Sequence, residues 1–234
     1  MSGTVAEKAA RLVDPAEPIT LAGPPPRFVS RGGEKLDAAL ERFGIDVEGR
    51  RCLDAGASTG GFTDCLLQRG ATEVVAVDVG FGQLHERLRA DPRVRSLERT
   101  NIRSLGPAEI GGPVATTVAD LSFISLRTVL AALLAVTAVG GDLVLLVKPQ
   151  FEAARQEASR GKGVIRDPAV WRRVLEEVRS AGSAQGASMM EAMVSPLTGA
   201  DGNVEFVVRL QARPTATAVD LDAVVAEAIA MHGG

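Results

Sequence analysis

Apolar residues along this chain follow two spacings, one typical of helices and one typical of buried strands. Between Glu34 and Phe43 they recur at i, i+3, i+4 and i+7, which predicts a helix with one buried face, and Gly44 follows as a stop signal. Short runs of Val, Leu, Ile and Ala bounded by turn residues predict buried strands. Further helices are predicted at about 60–69, 83–90, 126–138, 168–181 and 218–231, and strands at 51–54, 73–78, 94–98, 114–119, 142–148, 188–195 and 203–211.

The order of these elements predicts an α/β fold. Strands alternate with helices over most of the chain, which favours a doubly wound parallel sheet. No helix separates the last two strands, so we expect an antiparallel hairpin at the end of a mostly parallel, seven-stranded sheet. We expect 28–234 to form this single domain, 1–27 to be an arm or linker, and 150–166 to be a long loop.

The composition narrows the possible chemistry. The 234 residues include no Tyr and only two His, so Lys, Asp and Glu are left as general bases. The net charge of −3 creates no global positive field that would attract nucleic acid. Cys52 and Cys65 predict neither a disulfide framework nor a zinc site, and we expect two buried thiols in a reducing cytoplasm. The apolar run 129–147 is interrupted at 140–142, so no membrane span is predicted.

A glycine-rich turn follows the first predicted strand. Asp54 ends the strand, and three glycines come before or at the start of the next helix, where the backbone can approach a ligand and free N–H groups point outward. The spacing departs from G-x-G-x-x-G, and Asp54 is an awkward neighbour for a phosphate. The turn therefore favours a cationic, phosphate-free ligand such as the amino-acid end of S-adenosylmethionine. The candidate contacts here are Asp54, Gly56, Ser58, Thr59, Gly60, Gly61 and Phe62.

Polar residues also end the second and third predicted strands. Asp78 ends the second strand, where a carboxylate can accept hydrogen bonds from both hydroxyls of a ribose. A lone glycine-rich turn is often only a tight connection, but two acidic strand ends together favour the same cofactor. Asn101 follows the third strand and is a candidate neighbour of the adenine, with a turn or capping role as an equal alternative.

The fourth and fifth strands end in a carboxylate and an amine. Ligands bind beyond the carboxyl ends of such strands, so Asp120 is expected to face the reaction zone. Lys148 ends the apolar run 143–147, and we expect its stem to be buried and its amine to face the same crevice, where a neutral amine can act as a base. The alternative is a lysine at a sheet edge that reaches water. Lys35 and Glu205 are weaker candidates, for which an exposed position is the simpler explanation.

Six segments in order resemble the TlyA family of ribosomal RNA ribose methyltransferases, also called hemolysin-like, which are relatives of the FtsJ type. The resemblance covers about 27–211 and implies a Rossmann-like class I methyltransferase fold, S-adenosylmethionine as cofactor, no metal, and ribosomal RNA or a ribosomal subunit as partner. The segments are FVSRGGEKL, CLDAGASTGGFTDCLLQRGA, VVAVDVGFGQL, VADLSFISL, LVKPQFE and SPLTGADGNVEF.

The resemblance also implies a catalytic tetrad. The Lys-Asp-Lys-Glu set of the family falls on Lys35, Asp120, Lys148 and Glu205. By similarity, Lys148 would take the proton from a ribose 2′-hydroxyl and Asp120 would hold that lysine beside the cofactor. Lys35 and Glu205 would position the hydroxyl and the methyl donor.

The N-terminal end departs from the family pattern. Family members carry an RNA-binding module there, and GTVAEKAARLVDPAEPITL resembles only its tail, so we expect weaker RNA binding. A basic set within 150–166 is a candidate phosphate-binding patch, with a solvated mobile loop as an equal alternative. This set is Arg155, Arg160, Lys162 and Arg166.

Three other functions stay open. The same tetrad would suit an O-methyltransferase for a small molecule, and the incomplete N-terminal module favours that alternative. A membrane-active hemolysin is disfavoured because no amphipathic or spanning segment is found. An NAD-dependent oxidoreductase is disfavoured by the glycine spacing.

Overall fold

The computed structural model describes residues 26–213 and 219–232. Within them the chain forms seven strands, nine helices and one 3-10 helix at Ile102–Ser104. The strands are β1 (Arg51–Ala55), β2 (Glu73–Val77), β3 (Val94–Leu97), β4 (Val114–Ala119), β5 (Thr137–Val147), β6 (Ser188–Val194) and β7 (Phe206–Gln211). The helices are α1 (Gly32–Arg42), α2 (Gly61–Gln68), α3 (Glu86–Arg89), α4 (Pro107–Ile110), α5 (Leu126–Val136), α6 (Pro149–Glu152), α7 (Arg155–Arg160), α8 (Pro168–Ala184) and α9 (Leu221–His232).

All seven strands form one sheet in the order β3-β2-β1-β4-β5-β7-β6. The pairs among β1 to β5 are parallel, whereas β7 runs antiparallel to both β5 and β6. The predicted mostly parallel, seven-stranded sheet with a terminal antiparallel hairpin is therefore confirmed. Because β7 is reversed, its first residue, Phe206, pairs with Val147 at the end of β5.

The two faces of the sheet bury different helices. Alternate residues of each strand point to opposite faces, so Leu53 packs in a cluster with α5, α8 and α9, and Cys52 in a cluster with α1 and α2. Both cysteines, predicted as buried thiols, are buried and free. The predicted start of α8 is also confirmed, since Asp167 accepts a hydrogen bond from the amide of Ala169 and Pro168 begins the helix.

One predicted turn lies within a strand instead. We expected the helix to reach 138 and the next strand to begin at 142, but α5 ends at Val136 and β5 begins at Thr137. The hydroxyl of Thr137 lies 2.7 Å from that of Thr117, so the first residue of β5 is hydrogen-bonded to β4. The glycines at 140–141 lie in an irregular part of β5. On either side of it, the pairing of β4 with β5 changes from Val114↔Thr137 to Thr116↔Asp142.

The prediction of a long loop at 150–166 was wrong. The segment contains the end of α6 and all of α7. Both helices are too short to show a helical repeat of apolar residues, and they are held by side chains: the Glu157 carboxylate, for example, accepts a hydrogen bond from the amide of Ala154 at 3.0 Å. The short α4 and the 3-10 helix escaped prediction for the same reason.

The N-terminal arm predicted at 1–27 lies outside the described residues except for its last two positions. Of these, Arg27 forms an ion pair with Asp37 of α1 and packs over the ring of Phe28. Within the part of the chain that is described, no helix combines the length and apolar character needed to cross a bilayer.

Candidate active site

Two adjoining cavities open where β1, β4 and β5 end. The first, of about 280 Å³, is lined by residues that include Lys35, Phe62 and Lys148. The second, of about 450 Å³, is lined by residues that include Asp78 and Asn101. The two cavities have wall residues in common, so a ligand in one lies next to a ligand in the other. The shared residues are Gly56, Ser58, Asp120 and Ser122.

Lys148 contacts two oxygens in this shared wall. Its Nζ lies 2.5 Å from Oδ1 of Asp120 and 3.1 Å from Oγ of Ser122. Its side chain is 11 % exposed. β5 lies between β4 and β7, so the lysine ends a central strand and the sheet-edge alternative is wrong.

A second ion pair contributes Lys35 to the wall of the first cavity. Nζ of Lys35, in the first turn of α1, lies 2.5 Å from Oε2 of Glu205, which immediately precedes β7. The two side chains are 9 % and 3 % exposed. The exposed positions that seemed simpler for both residues are therefore wrong. The structure brings Lys35, Asp120, Lys148 and Glu205 together as two lysine–carboxylate pairs.

The glycine-rich turn fits closely against the loop after β4. Gly56 has a φ of +84°, and a Cβ at this position would lie 2.6 Å from the carbonyl oxygen of Asp120. Only glycine allows this approach. Ser58, Thr59, Gly61 and Phe62 line the first cavity as well, whereas Gly60 caps α2 and packs against Leu84 and Leu88 without lining either cavity.

Asp54 lies beneath the cavities rather than in their walls. It is fully buried, and its Oδ2 accepts a hydrogen bond of 2.7 Å from Thr63 of α2. Its Oδ1 has no hydrogen-bond partner among the described residues. Burial raises the pKa of Asp54 to about 7, and the charges of Asp120 and Asp78 add to the rise, while the Thr63 hydrogen bond opposes it.

Asp78 and Asn101 both line the second cavity, but they also serve the local backbone. The two carboxylate oxygens of Asp78 accept hydrogen bonds from the amides of Ser58 and Gly80, at 2.8 and 2.7 Å. Asn101 accepts from the amide of Arg103 and so caps the 3-10 helix. Asn101 therefore has the capping role given as one alternative, and it also lines the second cavity.

Sequence reasoning missed two residues that shape this site. Ser122 lies two positions after Asp120 in the segment that carries the family resemblance, so its place was a usable signal. Glu152 ends the segment LVKPQFE of the same resemblance, but a glutamate after a strand is ordinarily exposed. Its side chain is 2 % exposed and accepts hydrogen bonds from Ser125 Oγ and from the amide of Leu126, at 2.5 and 2.6 Å.

The predicted basic patch is only partly described. Arg155 and Arg160 belong to α7, but their side chains lie outside the described part of the structure. Lys162 and Arg166 are exposed, and Arg166 lines a separate cavity beside α8 rather than either cavity of the candidate site.

The donor set fits S-adenosylmethionine. The ligand combines a sulfonium and an ammonium with a nucleoside that has no phosphate, and the walls offer carboxylates at Asp78 and Asp120 together with apolar surface at Ile102 and Leu121. The unpartnered buried oxygen of Asp54 adds negative charge beneath the turn once it is ionised.

Comparisons with known proteins identify a methyltransferase family. The family described as FtsJ-like methyltransferase matches residues 28–212. The 16S/23S rRNA (cytidine-2′-O)-methyltransferase TlyA of Mycobacterium tuberculosis is 50 % identical over 212 residues, which are 90 % of this chain and 79 % of the relative. Hemolysin A of Brachyspira hyodysenteriae is 42 % identical over 77 % of this chain and 75 % of its own.

A solved structure from Lactococcus lactis, provisionally named a hemolysin, has the same fold. It superposes with a TM-score of 0.82 at 42 % identity, and the match covers 86 % of this chain and 98 % of the other.

Proposed function

Since this chain belongs to the FtsJ-like methyltransferases, in the TlyA family, and is thus an S-adenosylmethionine-dependent methyltransferase, we propose that it methylates the 2′-hydroxyl of a ribose in ribosomal RNA. The observation that carries the proposal is the pair formed by Lys148, in the wall of the first cavity, and Asp120, in the wall shared by the two cavities. Lys148 would be the base, and it lies where a methyl donor in the second cavity would meet a hydroxyl in the first.

The substrate class is supported by the relatives. The name of the Mycobacterium tuberculosis relative states that it acts on cytidine 2′-oxygens of 16S and 23S rRNA, and half of the aligned residues are identical to those of this chain. The four residues of the predicted tetrad form two ion pairs, and Lys35, Asp120 and Lys148 line the first cavity.

The cofactor is proposed to occupy the second cavity and to extend along the glycine-rich turn. Asp78 would accept hydrogen bonds from the ribose hydroxyls, and Asn101 would lie beside the adenine. When bound, S-adenosylmethionine supplies an electrophilic methyl group on a positively charged sulfur. Gly56 allows the turn to lie directly against Asp120, which places the carboxylate near that charge.

The residues of the first cavity are proposed to align and deprotonate the acceptor. Lys148 Nζ takes the proton of the 2′-hydroxyl while the new C–O bond forms and the C–S bond breaks, with its electron pair passing to sulfur. Lys148 must first release its own proton to solvent, and the transfer then restores the ammonium and its ion pair with the Asp120 carboxylate. Lys35, fixed by Glu205, donates hydrogen bonds that hold the acceptor oxygen in line.

The proposal is tested by transfer of a tritiated methyl group to ribosomal subunits that lack the modification. Lys148→Ala and Lys148→Arg are expected to bind S-adenosylmethionine in calorimetry but to transfer methyl at least about 100-fold more slowly, which is the lower end of what a positioned base contributes. Arginine is the informative variant, because it keeps the charge beside Asp120 but does not lose its proton in proteins. Full activity of Lys148→Arg would exclude the lysine as base.

The position of the methyl group is tested by alkaline hydrolysis of the product RNA. A 2′-O-methyl group removes the nucleophile that cleaves the adjacent phosphodiester, so the label is expected in alkali-resistant dinucleotides. Label in mononucleotides would indicate base methylation. Label only in low-molecular-weight acceptors, with none in either ribosomal subunit, would identify a small-molecule O-methyltransferase instead.

A further inference from the structure

We propose that Ser122 is a positioning residue that, together with Asp120, aims the lone pair of Lys148 at the acceptor hydroxyl. The inference rests on the proposed function, in which Lys148 is the base. It assigns a role to a residue outside the Lys-Asp-Lys-Glu set.

Two oxygens lie close to the amine of Lys148. Nζ donates a hydrogen bond to Oγ of Ser122 at 3.1 Å, and Oδ1 of Asp120 lies 2.5 Å from Nζ as its ion-pair partner. A third side is occupied by the ring of Phe151, whose centroid lies 5.9 Å away. The remaining side is the first cavity, whose wall includes Lys148 itself.

The number of protons on the amine of Lys148 decides where its lone pair can point. A neutral lysine has two N–H bonds and one lone pair, and a lysine must be neutral to act as a base. Ser122 accepts one N–H, and Oδ1 of Asp120, 2.5 Å from Nζ, is near enough to accept the other once the amine turns toward it. With both N–H bonds used, the lone pair is left to point toward the open side, where the hydroxyl would lie. With Asp120 alone, the amine would rotate about its Cε–Nζ bond and the lone pair would sweep through several directions.

The loop after β4 holds Ser122 in place. Phe123, the next residue, has a φ of +62° and turns the chain sharply, and its ring contacts that of Phe151 at 5.1 Å between centroids. Two residues further on, Ser125 is bonded to the buried carboxylate of Glu152. The hydroxyl of Ser122 is therefore carried by a backbone that is fixed close behind it.

The test compares Ser122→Ala and Ser122→Thr with Ser180→Ala, a serine on the exposed side of α8. Ser122→Ala is expected to lower kcat about 10- to 100-fold, a part of what a positioned base supplies, with KM for S-adenosylmethionine unchanged. Ser122→Thr keeps the hydroxyl and is expected to recover most of the activity. Ser180→Ala is expected to behave as the wild type.

A double-variant experiment distinguishes positioning from a general structural effect. In a Lys148→Ala background, Ser122→Ala is expected to cause no further loss, because the serine acts only through the amine. A further tenfold loss there, a kcat of Ser122→Ala within twofold of the wild type, or a raised KM for the cofactor in place of a lowered kcat would each overturn the inference. The proposed function would fail separately, through an active Lys148→Ala protein.

Discussion

The carboxylate of Glu152 accepts a hydrogen bond from the backbone amide of Leu126 at 2.6 Å, and this contact joins the segment after β5 to the helix after β4. Ser125 donates a second hydrogen bond to the same carboxylate, and Arg127 a third. Asp120 and Lys148 end the two strands that precede these segments. A buried glutamate outside the cavities thus fixes the spacing of the proposed base and its carboxylate partner.

Replacement of Glu152 is expected to lower both stability and activity. Glu152→Ala leaves the buried amide of Leu126 without its acceptor, so the free energy of unfolding in urea should fall by about 2–3 kcal/mol. Glu152→Gln keeps one acceptor oxygen and should lose less. Glu41→Ala, on the exposed side of α1, serves as the control and should unfold within about 0.5 kcal/mol of the wild type. Equal stability of all three variants would show that the contact is unimportant.

The buried carboxyl of Asp54 should make the cofactor-free protein less stable as pH rises. Its pKa is about 7 in the folded protein and has an ordinary value of 3.8. Between about pH 4 and 7, the unfolded chain has released this proton while the folded protein still holds it, so its contribution to stability falls across that interval. Asp54→Asn is expected to flatten this part of the stability profile, measured by urea unfolding from pH 4.5 to 8. A profile identical to the wild type would contradict the assignment.

The same group should couple cofactor binding to proton release. A cationic ligand favours the ionised carboxylate, so affinity for S-adenosylmethionine should fall by up to about tenfold for each pH unit below about 7. Calorimetry in buffers of different ionisation enthalpy should detect the released proton. The cofactor's own amine also titrates near neutrality, so the slope of affinity against pH is compared between the wild type and Asp54→Asn. The variant should bind the cofactor weakly and lack the part of the slope that comes from Asp54. Matching slopes would rule out Asp54 as its source.

The pair formed by Lys35 and Glu205 allows stability to be separated from activity. Lys35→Met leaves the Glu205 carboxylate buried without its cation, which should cost about 3–5 kcal/mol in the free energy of unfolding. The double variant Lys35→Met/Glu205→Leu removes both charges and should recover most of that stability, because it leaves no unpaired charge. Methyl transfer should remain lost in both proteins. A double variant that regains activity would show that the pair has only a structural role.

Two glycines with positive φ offer a matched comparison. Gly56 (φ +84°) and Gly49 (φ +69°) should each lose about 1–2 kcal/mol when changed to alanine, since both need a left-handed backbone. Only at Gly56 would the new Cβ meet a neighbour, the carbonyl oxygen of Asp120, whereas the space at Gly49 is open. Gly56→Ala should therefore lower kcat/KM well beyond Gly49→Ala in the methyl-transfer assay. Equal activities would show that the turn tolerates a shift of Asp120.

The sheet was predictable because its strands are short apolar runs of fixed period, and each run ends in a recognisable turn. The position of Lys148 followed from the same pattern, since a charged residue at the end of a buried strand must emerge beyond the carboxyl ends of the strands, where ligands bind. The irregular start of β5 was not predictable, because the hydroxyl contact between Thr137 and Thr117 outweighs the local turn signal of the glycines.

The remaining parts of the site depend on contacts between residues that are distant in sequence. Neither Lys35 nor Glu205 shows by itself that its partner lies on another element, and only the family resemblance placed them in one set. Asp54 was expected to contact the ligand; it lies beneath the cavities, and Thr63 of α2 binds one of its two carboxylate oxygens. The partners of Glu152 could not be predicted for the same reason, since Leu126 precedes it by 26 positions.

The reversed direction of β7 also has a consequence during protein synthesis. Lys35 and Glu205 are separated by 170 positions, so the ribosome completes the whole cofactor cavity before it adds the carboxylate that pairs with this lysine. A nascent chain that stops before the final hairpin carries an unpaired ammonium at the site and an uncovered edge on β5. Translation must reach the last strand before the enzyme is assembled.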